Sequence, residues 1–113
     1  MRKVTAAWIL DRGGFHDARV IAVRVEGSVA EIEFDDEWAN QRGLDFPEGE
    51  EAPGTLVVEG IAAATGELCA LAGGWISYVE LRGDILDLTF CDRPQLILPI
   101  GAAWWRSAIQ KSN

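Results

Sequence analysis

The chain has 113 residues, with 10 Lys and Arg against 18 Asp and Glu, a net charge of −8. Eleven acids and one base, Arg42, fall between Glu26 and Glu59, so that segment carries −10 and the remainder +2. This argues against a nucleic-acid binder, which needs a basic surface to displace counterions, and against a protein drawn to anionic lipid by charge. With 49% hydrophobic and 25% charged residues the chain has a globular rather than a disordered balance. Its length suits one domain over residues 1–113. No stretch approaches the roughly 18 apolar residues of a membrane span. The apolar run Val4 to Leu10 is too short for a signal peptide. No membrane association and a cytoplasmic location are therefore expected.

In chain order, Thr5 to Leu10 is either a short helix, capped by Thr5 and ended by Gly13-Gly14, or a first strand. Asp17 to Glu26 is rich in β-branched residues and reads as a strand, with Ala18, Val20, Ala22 and Arg24 on one face and Arg19, Ile21, Val23 and Val25 on the other. After a turn at Glu26-Gly27-Ser28, Val29 to Asp35 alternates: Ala30, Ile32 and Phe34 face in, while Glu31, Glu33 and Asp35 face out. The two runs form a hairpin with one solvated face. Asp36 to Pro53 then reads as a long charged loop with Trp38, Leu44 and Phe46 as its large apolar groups.

Gly54 to Ala63 resumes a strand, Thr65-Gly66 turns, and Leu68 to Ala72 reads as a short strand broken by Gly73-Gly74. Trp75 to Leu81 and Ile85 to Cys91 form a second hairpin about Arg82-Gly83-Asp84, with Leu86, Leu88 and Phe90 inward and Asp87 and Thr89 outward. Gln95 to Leu98 is an edge-like strand stopped by Pro99, and Ala102 to Lys111 has the composition of a helix. The fold class is thus mainly β (α+β). It is a single antiparallel meander-type sheet or open barrel of about six or seven strands, with a short C-terminal helix and possible N-terminal helix.

Few residues specify chemistry. His16, the only histidine, precedes Asp17 at the mouth of a strand, where neighbouring side chains point to opposite faces and form no dyad. Zinc lacks its further Cys or His ligands, and the acids of 35–51 lack the spacing of an EF-hand. No metal, cofactor or catalytic residue is expected. Cys69 and Cys91 sit in apolar runs and read as buried free thiols. Trp104 and Trp105 are adjacent, so on a helix one is left partly exposed, fit to seal a homodimer interface or a ligand groove.

Phe15-His16-Asp17-Ala18, followed by Val20-Ile21 and a Gly-centred hairpin, resembles the opening of a class of small bacterial proteins of unassigned function. Gly54-Thr55-Leu56-Val57-Val58 looks like a later part of the same pattern, whereas Met1 to Gly14 and the tryptophan-rich tail depart from it. Some small acidic proteins of this general look are immunity proteins of bacterial toxin systems. The resemblance implies no residue roles. The leading expectation is a non-enzymatic protein-binding domain for a basic partner. Asp35, Asp36, Glu37, Asp45, Glu48, Glu50 and Glu51 would supply the field, and Trp38 and Phe46 the anchors. The alternatives are a small-molecule binding or sensing domain with a pocket under Trp104 and Trp105, and a hydrolase using His16.

Overall fold

The computed structural model describes residues 1–35, 53–62 and 65–108. The chain is mainly β, with two short helices among the described residues. The strands are β1 (Arg2–Lys3), β2 (Val20–Glu26), β3 (Val29–Phe34), β4 (Gly54–Glu59), β5 (Ile76–Arg82), β6 (Ile85–Phe90), β7 (Leu96–Pro99) and β8 (Ala102–Ser107). The helices are α1 (Ala6–Asp11) and α2 (Thr65–Cys69). The strands make two antiparallel sheets, one in the order β1-β8-β4-β3-β2 and one in the order β5-β6-β7. The single sheet read from the sequence is therefore divided. After β4 the chain leaves the first sheet through α2, builds the second sheet, and returns as β8 between β1 and β4.

The local turns follow from residue type. Thr5 caps α1, its hydroxyl accepting the Trp8 amide at 3.1 Å. Both hairpins turn on a glycine with left-handed backbone, Gly27 at φ 62° and Gly83 at φ 61°. Their inward residues pack as the alternation requires: Ala30, Ile32, Phe34, Leu86 and Leu88 are fully buried. Both sheets, α1, and Leu68 and Leu71 around α2 share one apolar core.

Two strands depart from simple alternation because each carries a bulge. In β2 the register shifts between Val20 and Ala22, so buried Val20 shares its face with the partly buried Val23 and Val25, and Ile21 is left exposed. In β5 the shift lies between Ile76 and Tyr78. Ile76 therefore faces in with Val79 and Leu81, and Tyr78 faces out. One extra residue reverses the facing of all that follow.

Three further expectations are corrected. The C-terminal helix is the strand β8 up to Ser107, with Trp105 opposite Leu56 and Trp104 opposite Val57. A slot between two strands outweighs helical composition, and tryptophan suits a sheet. Leu68 to Ala72 is not a strand: α2 runs to Cys69 and a turn follows, which buries Leu68 and Leu71 on one side. Cys69 and Cys91 are exposed free thiols, because the apolar neighbours of each take the inward positions.

Candidate functional site

Two places carry the residues of interest: the outer surface of β3 and the turn between α1 and β2. On β3, Glu31 accepts from Arg106 at 2.8 Å and from Arg24 at 3.3 Å. The Arg106 hydrogen bond, aided by Arg24 against the opposing effect of burial, holds the Glu31 carboxyl below its ordinary value. Asp35 Oδ1 accepts the backbone N–H of Arg19 at 3.0 Å, which ties the end of the hairpin together. Both acids therefore hold the sheet as well as adding charge. Of the residues expected to bind a partner, Asp35 is placed here. Asp36, Glu37, Trp38, Asp45, Phe46, Glu48, Glu50 and Glu51 lie outside the described residues.

The Glu31 geometry makes stability pH-dependent in a definite direction. A carboxylate with a lowered folded-state value stabilises above its unfolded value, and that contribution disappears as pH falls through the folded value. Glu31→Gln is expected to cost about 0.5–1 kcal/mol at neutral pH, the scale of a half-exposed ion pair. In urea melts the gap between the variant and the natural protein should close as the pH drops below the ordinary carboxyl value of 4.5. A gap that persists in acid would remove the arginines as its cause.

The second place is built by backbone. Gly13, Gly14 and Phe15 all have left-handed φ, at 66°, 62° and 57°, and Asp17 follows at 71°. Gly14 has to be glycine on two counts: its φ, and the Tyr78 ring that a Cβ would meet at 2.6 Å. Phe15 is fully buried, edge-on to Trp8 at 5.9 Å and to Phe34 at 5.2 Å between ring centres. Ala18 is also fully buried. The Phe15-His16-Asp17-Ala18 motif is thus a two-point anchor with a half-exposed His-Asp step between.

His16 Nδ1 meets the Ser77 carbonyl at 2.7 Å, at the bulge of β5. A carbonyl only accepts, so Nδ1 carries the hydrogen. His16 Nε2 lies 3.4 Å from Asp17 Oδ1. The sequence expectation that these neighbours face apart is overturned: they sit in a turn, not in a strand, and left-handed Asp17 brings its carboxylate back to the ring. The signal was present in Gly13-Gly14, a pair suited to left-handed backbone just before the motif. Tyr78 also walls a shallow cleft of about 230 Å³ with Ala6, Leu10, Glu80 and Arg82.

Other polar groups are structural. Asp87, on the outer face of β6, is covered: Gln95 donates to it at 2.8 Å, and Thr89 and Arg82 each at 3.3 Å. Arg12 is buried with its guanidinium 4.2 Å from the centre of the Trp8 ring and donates to the Trp8 carbonyl at 3.2 Å. Beneath Trp105, where a ligand pocket was one expectation, Trp8, Phe15 and Phe34 pack against the indole with ring centres 5.4, 5.6 and 6.2 Å away.

These features define a small mainly-β domain of two antiparallel sheets about one aromatic-rich core. No helix among its described residues is long and apolar enough to cross a membrane. Comparison with protein families, curated proteins and solved structures finds no significant match to the chain.

Proposed function

We propose that this is a non-enzymatic protein-binding domain that holds a basic partner through its acidic segment, as an immunity protein or inhibitor does. The observation that carries the reading is the segregation of charge. The segment from Glu26 to Glu59 bears −10 on a body that is otherwise +2. The outward side chains Glu31 and Glu33 of β3 belong to that segment, and seven of its other acids, Asp35 to Glu51, follow in sequence. Concentrated charge of one sign speeds encounter with the opposite sign. Trp38 and Phe46, framed by acids, are residue types that anchor interfaces. Because Glu31 and Asp35 are engaged in the sheet, the reading assigns most of the contact to Asp36, Glu37, Asp45, Glu48, Glu50 and Glu51.

The test is capture of partners from the native host at low salt, followed by titration of the purified pair. A basic protein is expected whose affinity falls steeply with added salt. Changing Glu48, Glu50 and Glu51 together to Gln should slow its association while leaving the melting of the domain unchanged. A partner of acidic or neutral surface, or one indifferent to both salt and the triple variant, would overturn the proposal.

A further inference from the structure

β7 carries a second docking surface, apart from the acidic segment: we infer that its open edge takes an extended peptide segment of a partner protein as an added antiparallel strand, one with an apolar residue and a Lys or Arg two positions on. The other edges offer less. β1 has two residues. β2 and β5 are bulged and close on each other, Val20 N–H donating to the Gly74 carbonyl at 2.9 Å and Ile76 N–H to the Ala18 carbonyl at 2.7 Å. Short length and bulges protect an edge from pairing. β7 keeps regular register with β6 from Leu96 to Pro99. Opposed residues of an antiparallel pair alternate between bonded and non-bonded positions. Ile100 N–H donates to the Asp84 carbonyl at 2.8 Å, so Leu98 and Leu96 bond to β6, and the N–H and C=O of Ile97 face the open edge. Pro99 shares the phase of Ile97, where the sheet needs no N–H. Ile97 is 54% exposed, which leaves the edge clear.

Beside this edge lies a cleft of about 330 Å³ between α2 and the start of β7. Buried Leu71 and Leu96 line it with Ala70 and Pro94, and Glu67 and Arg93 are its charged groups. In an added strand, the residue opposite Leu96 points to the same face as Leu96. Leu96 lines the cleft, so that side chain enters it and, being apolar, is withdrawn from water. The next residue on the same face, opposite Pro94, is the basic one. Arg93 is held by the Asp92 carboxylate and the Ala72 carbonyl, each at 3.4 Å, whereas Glu67 has no ion-pair partner among the described residues. The charge left over at the cleft is therefore negative, which favours a cation in the ligand. Free main-chain groups at a sheet edge, with a pocket beside them for alternate side chains, are the parts by which sheets take up peptides.

The probe is a capped peptide, Thr-Val-Thr-Leu-Thr-Lys-Thr, added to the full chain labelled with nitrogen-15. Binding is expected to shift the Ile97 amide resonance and to slow the hydrogen exchange of that amide. Replacing the Leu of the peptide with Ala should weaken binding about tenfold or more, from the apolar burial lost. Glu67→Gln should weaken it about two- to fivefold, the scale of an exposed ion pair. Methylating the backbone nitrogen of the third peptide residue, opposite Ile97, should abolish binding while leaving the protein itself unaltered. An Ile97 amide indifferent to excess peptide would overturn the inference. So would equal affinity for the methylated peptide, for the Ala peptide, or in Glu67→Gln. An Ile97 amide already protected in a chain with the mass of a dimer would also overturn it, by making a second copy the occupant of the edge.

Discussion

Replacing Trp105 with alanine is expected to cost about 3–5 kcal/mol of folding stability, the scale for removing a large buried aromatic side chain. Trp105 is only 2% exposed and meets Trp8, Phe15 and Phe34. It lies so close over Gly54 that a Cβ there would overlap the indole. Its removal leaves a cavity that rigid strands on both sides cannot close. Trp104, one residue earlier on the same strand, points to the other face and is half-buried. Trp104→Ala should cost about 1 kcal/mol, near the centre of the range for point substitutions. The check is urea denaturation, with a shift of midpoint at unchanged slope. Equal costs at the two positions would contradict the strand. Trp105→Phe should recover much of the loss, since it keeps apolar bulk and removes an indole N–H that is buried without a hydrogen-bond partner among the described residues.

That pair of tryptophans also shows what was legible in the sequence. Pairings set by a few adjacent residues could be read: the alternation of Ala30, Ile32 and Phe34, the Gly27 and Gly83 turns, and the Thr5 cap. Each is decided within a few residues by side-chain period or by φ. The division into two sheets could not be read, because it depends on β8 returning to β4 and β1 from the far end of the chain. No local pattern records such a partner. Adjacent tryptophans have opposite facings in a strand, and that was the one clue against a helix at 102–107. The bulges at Ile21 and Ser77 escaped for a related reason. Both neighbourhoods contain apolar residues at successive positions, so two phases of alternation fit equally well until a partner strand chooses.

The candidate sites divide in the same way. Charge segregation is a property of composition and was visible at once. That Glu31 is clamped by an arginine 75 residues away in sequence was not, and it moves the weight of the binding proposal onto the acids after Asp35. The His16-Asp17 contact was misread because the motif was placed on a strand. Three left-handed residues before His16 and one after it change which way the side chains point.

Phe15→Ala is expected to cost about 3–5 kcal/mol as well, for a reason that joins the core to the turn. A non-glycine residue in left-handed backbone carries a penalty of about 1–2 kcal/mol, and Phe15 holds that conformation at φ 57°. Full burial of its ring against Trp8, Phe34 and Trp105 offsets the penalty. Alanine retains most of the strain and loses the burial. Two measurements separate this account from simple loss of bulk. Because Phe15 and Trp105 touch, their alanine substitutions should be non-additive, with a coupling of about 0.5–3 kcal/mol in a double-mutant cycle. The turn should also loosen, so that the His16 ring no longer holds its hydrogen on Nδ1 against Ser77 and its nitrogen resonances move toward a mixture of tautomers. A Phe15→Ala protein that stays within about 1 kcal/mol of the natural one, the ordinary cost of a substitution, would show that the left-handed turn is held by its glycines alone. A destabilised protein with the His16 tautomer intact would show that Ser77, not Phe15, fixes the ring.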